Sequence, residues 1–152
     1  HGHGRIEGGD VLVTDREILV GRSARTNGAG IEALRETVRD WGYPVRELAT
    51  PPDVLHFKTD CGLLDGETIL TTRRLAAGGH LDGYRLIHVA EGEEAAANVV
   101  RVNDAVLMPA GFPRTADLVC RAGYEVVELA NSEAAKVDGG MSCLSLRFSR
   151  PA

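Results

Sequence analysis

The sequence predicts an α/β fold built from repeated strand–strand–helix–strand modules, and three observations lead there. A Gly-Tyr pair recurs as Gly42-Tyr43, Gly83-Tyr84 and Gly123-Tyr124, at intervals of 41 and then 40 positions. Each pair is followed by an apolar alternation, PVRELA (44–49), RLIHVA (85–90) and EVVELA (125–130), the signature of a strand with one buried face. Each pair is also preceded by two shorter apolar runs with turn residues between them. A period near forty suits helical HEAT repeats and all-β propeller blades as well. The alternating runs exclude the first, and the helical stretches exclude the second.

In chain order, DVLVT (10–14) and EILVGRS (17–23) form the first strand pair. The helix predicted next is Ile31–Trp41, with Ile31, Leu34, Val38 and Trp41 at helical spacing. Glycine ahead of the alternating run fits a helix C-cap, where a positive φ is needed. In the second module GLLDG (62–66) and TILTTR (68–73) pair through the turn at Leu64-Asp65-Gly66, and the helix is stunted, around Leu75–Asp82. In the third, NVVRVND (98–104) and AVLMPAG (105–111) meet at Asn103-Asp104. The helix Pro113–Ala122 follows, with proline in its first turn where no N–H is missed. A last strand is expected over CLSLRF (143–148). The modules are therefore 5–52, 53–94 and 95–152, in one domain, and His1–Gly4 is open to reading as the remnant of an affinity tag. Three modules and a strand would leave open edges, so more chain or a second chain is expected to close the structure.

Composition excludes several classes. At 43% hydrophobic and 26% charged, the 152 residues match a soluble globular domain. No apolar run approaches the roughly 18 residues of a membrane span, and no signal peptide is visible. The net charge is −5 with Lys and Arg dispersed, which argues against a nucleic-acid partner. Cys61, Cys120 and Cys143 stand far apart, an odd set that suggests no disulfide framework and favours a reducing cytoplasm.

The boundaries between modules are polar: Glu7-Gly8-Gly9-Asp10, His56-Phe57-Lys58-Thr59-Asp60, Ala97-Asn98 and Asp138-Gly139-Gly140-Met141-Ser142-Cys143. If modules surround an axis, equivalent boundaries converge, and Glu7, His56, Asn98 and Cys143 meet. A thiol catalyst needs that set: a nucleophile, a base, and a carboxylate to orient the base. Each residue also has a plainer reading. A lone cysteine is usually a small hydrophobe. His56, between Leu55 and Phe57, fits a satisfied core histidine, and Glu7 beside two glycines can simply open a turn. Asp10 can cap local backbone, and Arg22 and Arg25 can be solvated or paired at a sheet edge. Gly139 and Gly140 permit close approach of a ligand to the backbone. Cys61 and Cys120 read as structural, Cys120 on the inner face of the third helix.

The ordered strings IEGGDVLV (6–13), VGRSARTN (20–27), LHFKT (55–59), AAN (96–98), LMPAGFPRT (107–115) and SEAAKVDGGMSCLSLRF (132–148) resemble the dimethylargininases of the arginine deiminase-like (pentein) superfamily. The resemblance implies a pentein-type propeller of five ββαβ modules, of which this sequence carries about three, the N-terminal ones being absent. It implies a hydrolase of guanidine C–N bonds that converts Nω-methylated arginine to citrulline and methylamine or dimethylamine. Cys143, His56 and Glu7 are then catalytic, Arg25 binds the substrate α-carboxylate, and Asp10, Asn98 and Gly139 join it in substrate binding. His56-x-Lys58 favours a methylated substrate over free arginine. No metal and no cofactor are implied; the partners are a small-molecule substrate and either a second copy of the chain or a complementary N-terminal fragment. The alternatives are an arginine deiminase or other guanidine-modifying enzyme of this fold, and an inactive fragment acting as a binding piece.

Overall fold

Apolar residues at every second position share one face of a pleated strand, and burying that face requires a partner layer. A computed structural model, which describes residues 3–146, meets this requirement three times over. The first module contains β1 (Val11–Val13), β2 (Ile18–Arg22), α1 (Gly28–Val38) and β3 (Val45–Ala49). The second contains β4 (Cys61–Leu63), β5 (Thr68–Thr71), α2 (Arg73–Ala76) and β6 (Arg85–His88). The third contains β7 (Val100–Val102), β8 (Ala105–Pro109), α3 (Pro113–Arg121) and β9 (Glu125–Leu129), and α4 (Ser132–Ala135) follows. Each module forms its own three-stranded sheet, in the order β1-β2-β3, β4-β5-β6 and β7-β8-β9. The first pair in each is antiparallel and the second parallel, the helix serving as the crossover.

The helices start where a side chain takes up the orphan backbone N–H groups of the first turn. Asn27 accepts from the Gly30 N–H at 2.9 Å, and Thr72 from the Leu75 N–H at 3.3 Å. For α3 the acceptor comes from another loop: the buried Glu93 carboxylate receives the N–H of Thr115 at 2.7 Å and of Arg114 at 3.3 Å. Glycine stands after the first and third helices, and in the second module it closes the turn that leads into β6. Gly42, Gly83 and Gly123 all lie at positive φ, 76°, 89° and 98°, a region that side chains with a Cβ avoid.

The sheets pack face to face, so two cores lie between modules. Leu12, Leu19 and Leu48 of the first sheet meet Phe57, Cys61, Ile69, Leu75, Leu81 and Tyr84 of the second module. The opposite face of the second sheet, with Leu70 and Ile87, meets Val106, Met108, Ala116 and Val119 of the third. A third core under α1 joins Ile31 and Val38 to Ile18 and Val20. These interfaces draw the chain segments before β1, β4 and β7 together. The short helical turn Gly8–Asp10 touches the turn Phe57–Thr59, which in turn touches Glu94–Ala97.

Four expectations are corrected. Trp41 is 68% exposed, because α1 tightens into a 3-10 turn at Arg39–Trp41 that rotates the indole off the apolar stripe. Cys120 is exposed; Thr115, Ala116 and Val119 form the buried face of α3, and Cys120 lies one residue round the helix from it. The second helix covers Arg73–Ala76 and is shorter and earlier than Leu75–Asp82. Residues 143–146 of the expected final strand are turn and irregular chain; Arg147 and Phe148 lie outside the described residues, as do His1 and Gly2. The His3 carbonyl accepts from the Asn27 amide at 3.0 Å, so the opening segment is attached to the first module.

Leu70 has no exposed surface and sits in the core between the second and third modules. Leu70→Ala is expected to cost about 2–5 kcal/mol, the range for a buried leucine that leaves a cavity. Chemical denaturation measures this, and Trp41→Ala, at an exposed site, should change stability by less than about 0.5 kcal/mol.

Candidate active site

The sheet-to-sheet packing places Glu7 and His56, 49 residues apart in sequence, side by side: His56 Nε2 lies 2.6 Å from Glu7 Oε2. The His56 side chain is mostly buried, at 15% exposure, while that of Glu7 is 42% exposed. The imidazole is held from several directions. Its side chain accepts from the Thr59 backbone N–H in a capping box that the Thr59 hydroxyl completes, accepting from the His56 N–H at 3.3 Å. Gly9 lies flat against the ring, where a Cβ would come within 2.6 Å of the imidazole Cγ. Glycine is required there by close approach.

Arg25 reaches the same carboxylate, with Nη1 3.4 Å from each Glu7 oxygen. Glu7 thus stands between an imidazole and a guanidinium. The hydrogen bond from His56 holds its carboxyl below the usual glutamate range; partial burial opposes this, and the charge of Arg25 adds to it. Arg22, at the end of the central strand β2, forms an exposed pair at 3.2 Å with Glu47 of the edge strand β3.

Asp10 is not where a substrate contact would put it. It has no exposed surface, and its carboxylate accepts from Ser23 Oγ at 2.7 Å, Thr26 Oγ1 at 2.7 Å and the Phe57 N–H at 2.8 Å. Buried with these three bonds, Asp10 does not face a cleft, where the expected substrate contact would need it, and it does not cap local backbone either, since its donors lie 13, 16 and 47 residues away. Ser23 and Thr26 were not singled out in the sequence, where Ser-x-x-Thr ahead of a helix cap reads as ordinary turn chemistry.

Cys143 is exposed, in the turn Met141–Leu144. Asn98 anchors this turn, its side-chain oxygen accepting the Ser142 N–H at 2.8 Å. Gly140 packs against the same amide, which a Cβ would meet at 2.4 Å. Gly139 closes on α4, its N–H on the Ala134 carbonyl at 2.8 Å and its carbonyl on the Asn131 amide at 3.0 Å. A cleft of about 650 Å³ is lined by Leu55, Thr59, Asn98, Asp138, Gly139 and Gly140 among others, and neither His56 nor Cys143 is part of its lining. A second cleft, of about 600 Å³, holds Lys58 and Ser142. The neighbours of Cys143 and of His56 therefore line the same openings. Cys61, by contrast, is buried, its thiol donates to the Phe57 carbonyl at 3.5 Å, and burial drives its pKa far up, Asp60 adding to the effect. It is a poor thiolate.

Over 145 residues the chain is 36% identical to the N(G),N(G)-dimethylarginine dimethylaminohydrolase of Pseudomonas aeruginosa, covering 95% of this chain and 57% of that protein. The protein of the same name from Streptomyces coelicolor is 36% identical over 147 residues, covering 95% and 55%. The chain is a homologue of the dimethylarginine dimethylaminohydrolases. A solved structure of the Pseudomonas aeruginosa enzyme, a cysteine-to-serine mutant complexed with citrulline, superposes with a TM-score of 0.91 at 34% identity, over 97% of this chain and 58% of that one. The ββαβ modules are thus of the pentein type, as in the dimethylarginine dimethylaminohydrolases. The chain spans just over half the length of these relatives. No protein-family model matches it.

Because its carboxyl is depressed, Glu7 should stay ionised below the usual glutamate range, and its grip on His56 should be lost only as pH falls through that lowered value. Carbon NMR of the Glu7 side chain measures the midpoint. His56→Ala should raise it more than Arg25→Ala does, since the histidine hydrogen bond is the larger cause; the reverse order would contradict this account of the site.

Proposed function

We propose that the protein to which this chain belongs hydrolyses Nω-methylated arginine to citrulline and methylamine or dimethylamine, with Cys143 as nucleophile, His56 as proton carrier and Glu7 as its orienting partner. The observation that carries the reading is the 2.6 Å Glu7–His56 contact, which joins the segments leading into the first and second modules. The homology to enzymes named for this reaction supports it.

At neutral pH only about 3% of an ordinary cysteine is thiolate. A bound guanidinium is a cation beside the sulfur and lowers that pKa, so substrate helps to activate its own nucleophile. The Cys143 thiolate adds to the guanidinium carbon and gives a tetrahedral adduct. Its C–N bond to the methylated nitrogen breaks as His56 passes a proton to the departing amine, leaving a covalent thiouronium. His56 then takes a proton from water, the hydroxide adds to the same carbon, and the C–S bond breaks to return the thiolate and release citrulline. Glu7 accepts from the ring and fixes its tautomer and orientation through both steps. Arg25 receives the α-carboxylate, and Asn98 and Gly139 shape the cleft beside the sulfur.

The three free thiols suit a reducing cytoplasm. Among the described residues no helix is long and apolar enough to cross a membrane. Val102 and Leu129, exposed on the third sheet, offer a surface for a further module or a second copy of the chain.

In the full-length protein, Cys143→Ser should abolish citrulline formation while circular dichroism stays unchanged, and His56→Ala should lower kcat by about 10²–10⁴-fold, the usual worth of a general acid–base. Turnover surviving in Cys143→Ser would remove that sulfur from the mechanism. The released base decides the substrate: methylamine or dimethylamine supports the reading, and ammonia from free arginine would replace it with arginine deimination.

A further inference from the structure

Asp10 is buried without an ion-pair partner among the described residues, in contrast to Asp60, which Arg74 grips at 2.6 Å. All three of its contacts lead to the site. Thr26 Oγ1 donates to Asp10 and accepts the Glu7 backbone N–H at 3.0 Å. Ser23 Oγ donates to Asp10 and accepts the Arg25 backbone N–H at 3.0 Å and the Thr26 N–H at 3.2 Å. The third contact is the Phe57 N–H at 2.8 Å, one residue from His56.

We infer that Asp10 is the positioning residue of the active site, one buried carboxylate that sets Glu7, Arg25 and His56 relative to one another through separate relays. This rests on the catalytic roles proposed above and goes beyond them, since it names what fixes the geometry. The chemistry explains why a carboxylate is needed. Two hydroxyls and one backbone N–H all donate inward, and an anion accepts all three, whereas an amide has only one accepting oxygen. Each hydroxyl, with its proton committed to Asp10, has its lone pairs turned to the backbone of the residue it holds. Replace the anion, and both hydroxyls are free to rotate, loosening both segments at once. Hydrogen bonds to a charged acceptor are also stronger and shorter than neutral ones, which suits a brace. The link crosses the module boundary: Ser23 and Thr26 belong to the first module, and Phe57 to the second.

The relays make separable predictions. A misplacement on the order of 1 Å in an active site can cost about a hundredfold in rate. In the full-length protein Asp10→Asn should lower kcat/KM for methylated arginine by about tenfold to a hundredfold. Thr26→Val, which cuts only the relay to Glu7, should lower kcat and shift its pH profile with little change in KM. Ser23→Ala, which cuts the relay to Arg25 and leaves the Thr26 Oγ1 bonds to Asp10 and to the Glu7 N–H in place, should raise KM with little change in kcat. Glu93→Gln removes a different buried carboxylate that also caps a helix, and it should lower thermal stability while leaving both constants and the pH profile unchanged. A structural role alone would give the four variants the same pattern, a loss of stability without the split between kcat and KM. Such a pattern overturns the inference.

A second readout does not depend on turnover. The proton in the short Glu7–His56 contact should give a downfield proton NMR signal that Asp10→Asn shifts or abolishes and Glu93→Gln preserves. If the wild type makes no citrulline, the functional reading fails while this signal still tests the brace. A signal unchanged in Asp10→Asn would refute the brace whatever the activity. Should Asp10→Asn not fold, Thr26→Val and Ser23→Ala carry both tests.

Discussion

The packing of one module's sheet face against the next holds this structure together and gives it a site. Within a module the strands supply local hydrogen bonds, but each three-stranded sheet has two faces, and its helix covers only one. The other face must be covered by the following module, as Leu19 is by Ile69 and its neighbours, and Leu70 by Val106 and its neighbours. Because each module turns the chain in the same way, the segments entering β1, β4 and β7 come back to a common place. The Glu7–His56 contact and the tie from Asn98 to the turn of Cys143 follow from that return. A site built so is insensitive to sequence distance and sensitive to anything that tilts one module against another.

Polar side chains then convert this coarse convergence into geometry. Asp10, Asp60 and Glu93 are all buried acids that accept from residues at or just before a helix start. Asp60 is held by Arg74, and Glu93 is bonded by Arg114. Asp10 is held by hydroxyls and a backbone N–H that belong to the segments bearing Glu7, Arg25 and His56. In the first module the same structural device reaches the segments that carry Glu7, Arg25 and His56.

Most of the architecture was legible in the sequence because period and punctuation are local properties. The Gly-Tyr pairs fixed the register of the repeat, and the alternating runs after them became β3, β6 and β9 within a residue or two. The failures share a cause: each depended on how an element ends or on what another module brings. Trp41 fits the helical stripe by counting, yet a tighter last turn carries it into solvent. Cys120 lies one step from the buried stripe of α3, and one step is 100° on a helix. Asp10 reads as a ligand contact when resemblance guides the eye, and only the three donors around it, one from the next module, reveal a brace. The relay hydroxyls of Ser23 and Thr26 carry no signal of their own in the sequence.

The central claim is that Cys143 forms a covalent bond to the guanidine carbon during turnover. Denaturing mass spectrometry of the full-length protein, acid-quenched while consuming excess Nω-methylated arginine, tests it directly. The account predicts an added mass equal to substrate less the departing amine, located on the peptide that contains Cys143. Turnover to citrulline with no such adduct, or with the adduct on another residue, would contradict it.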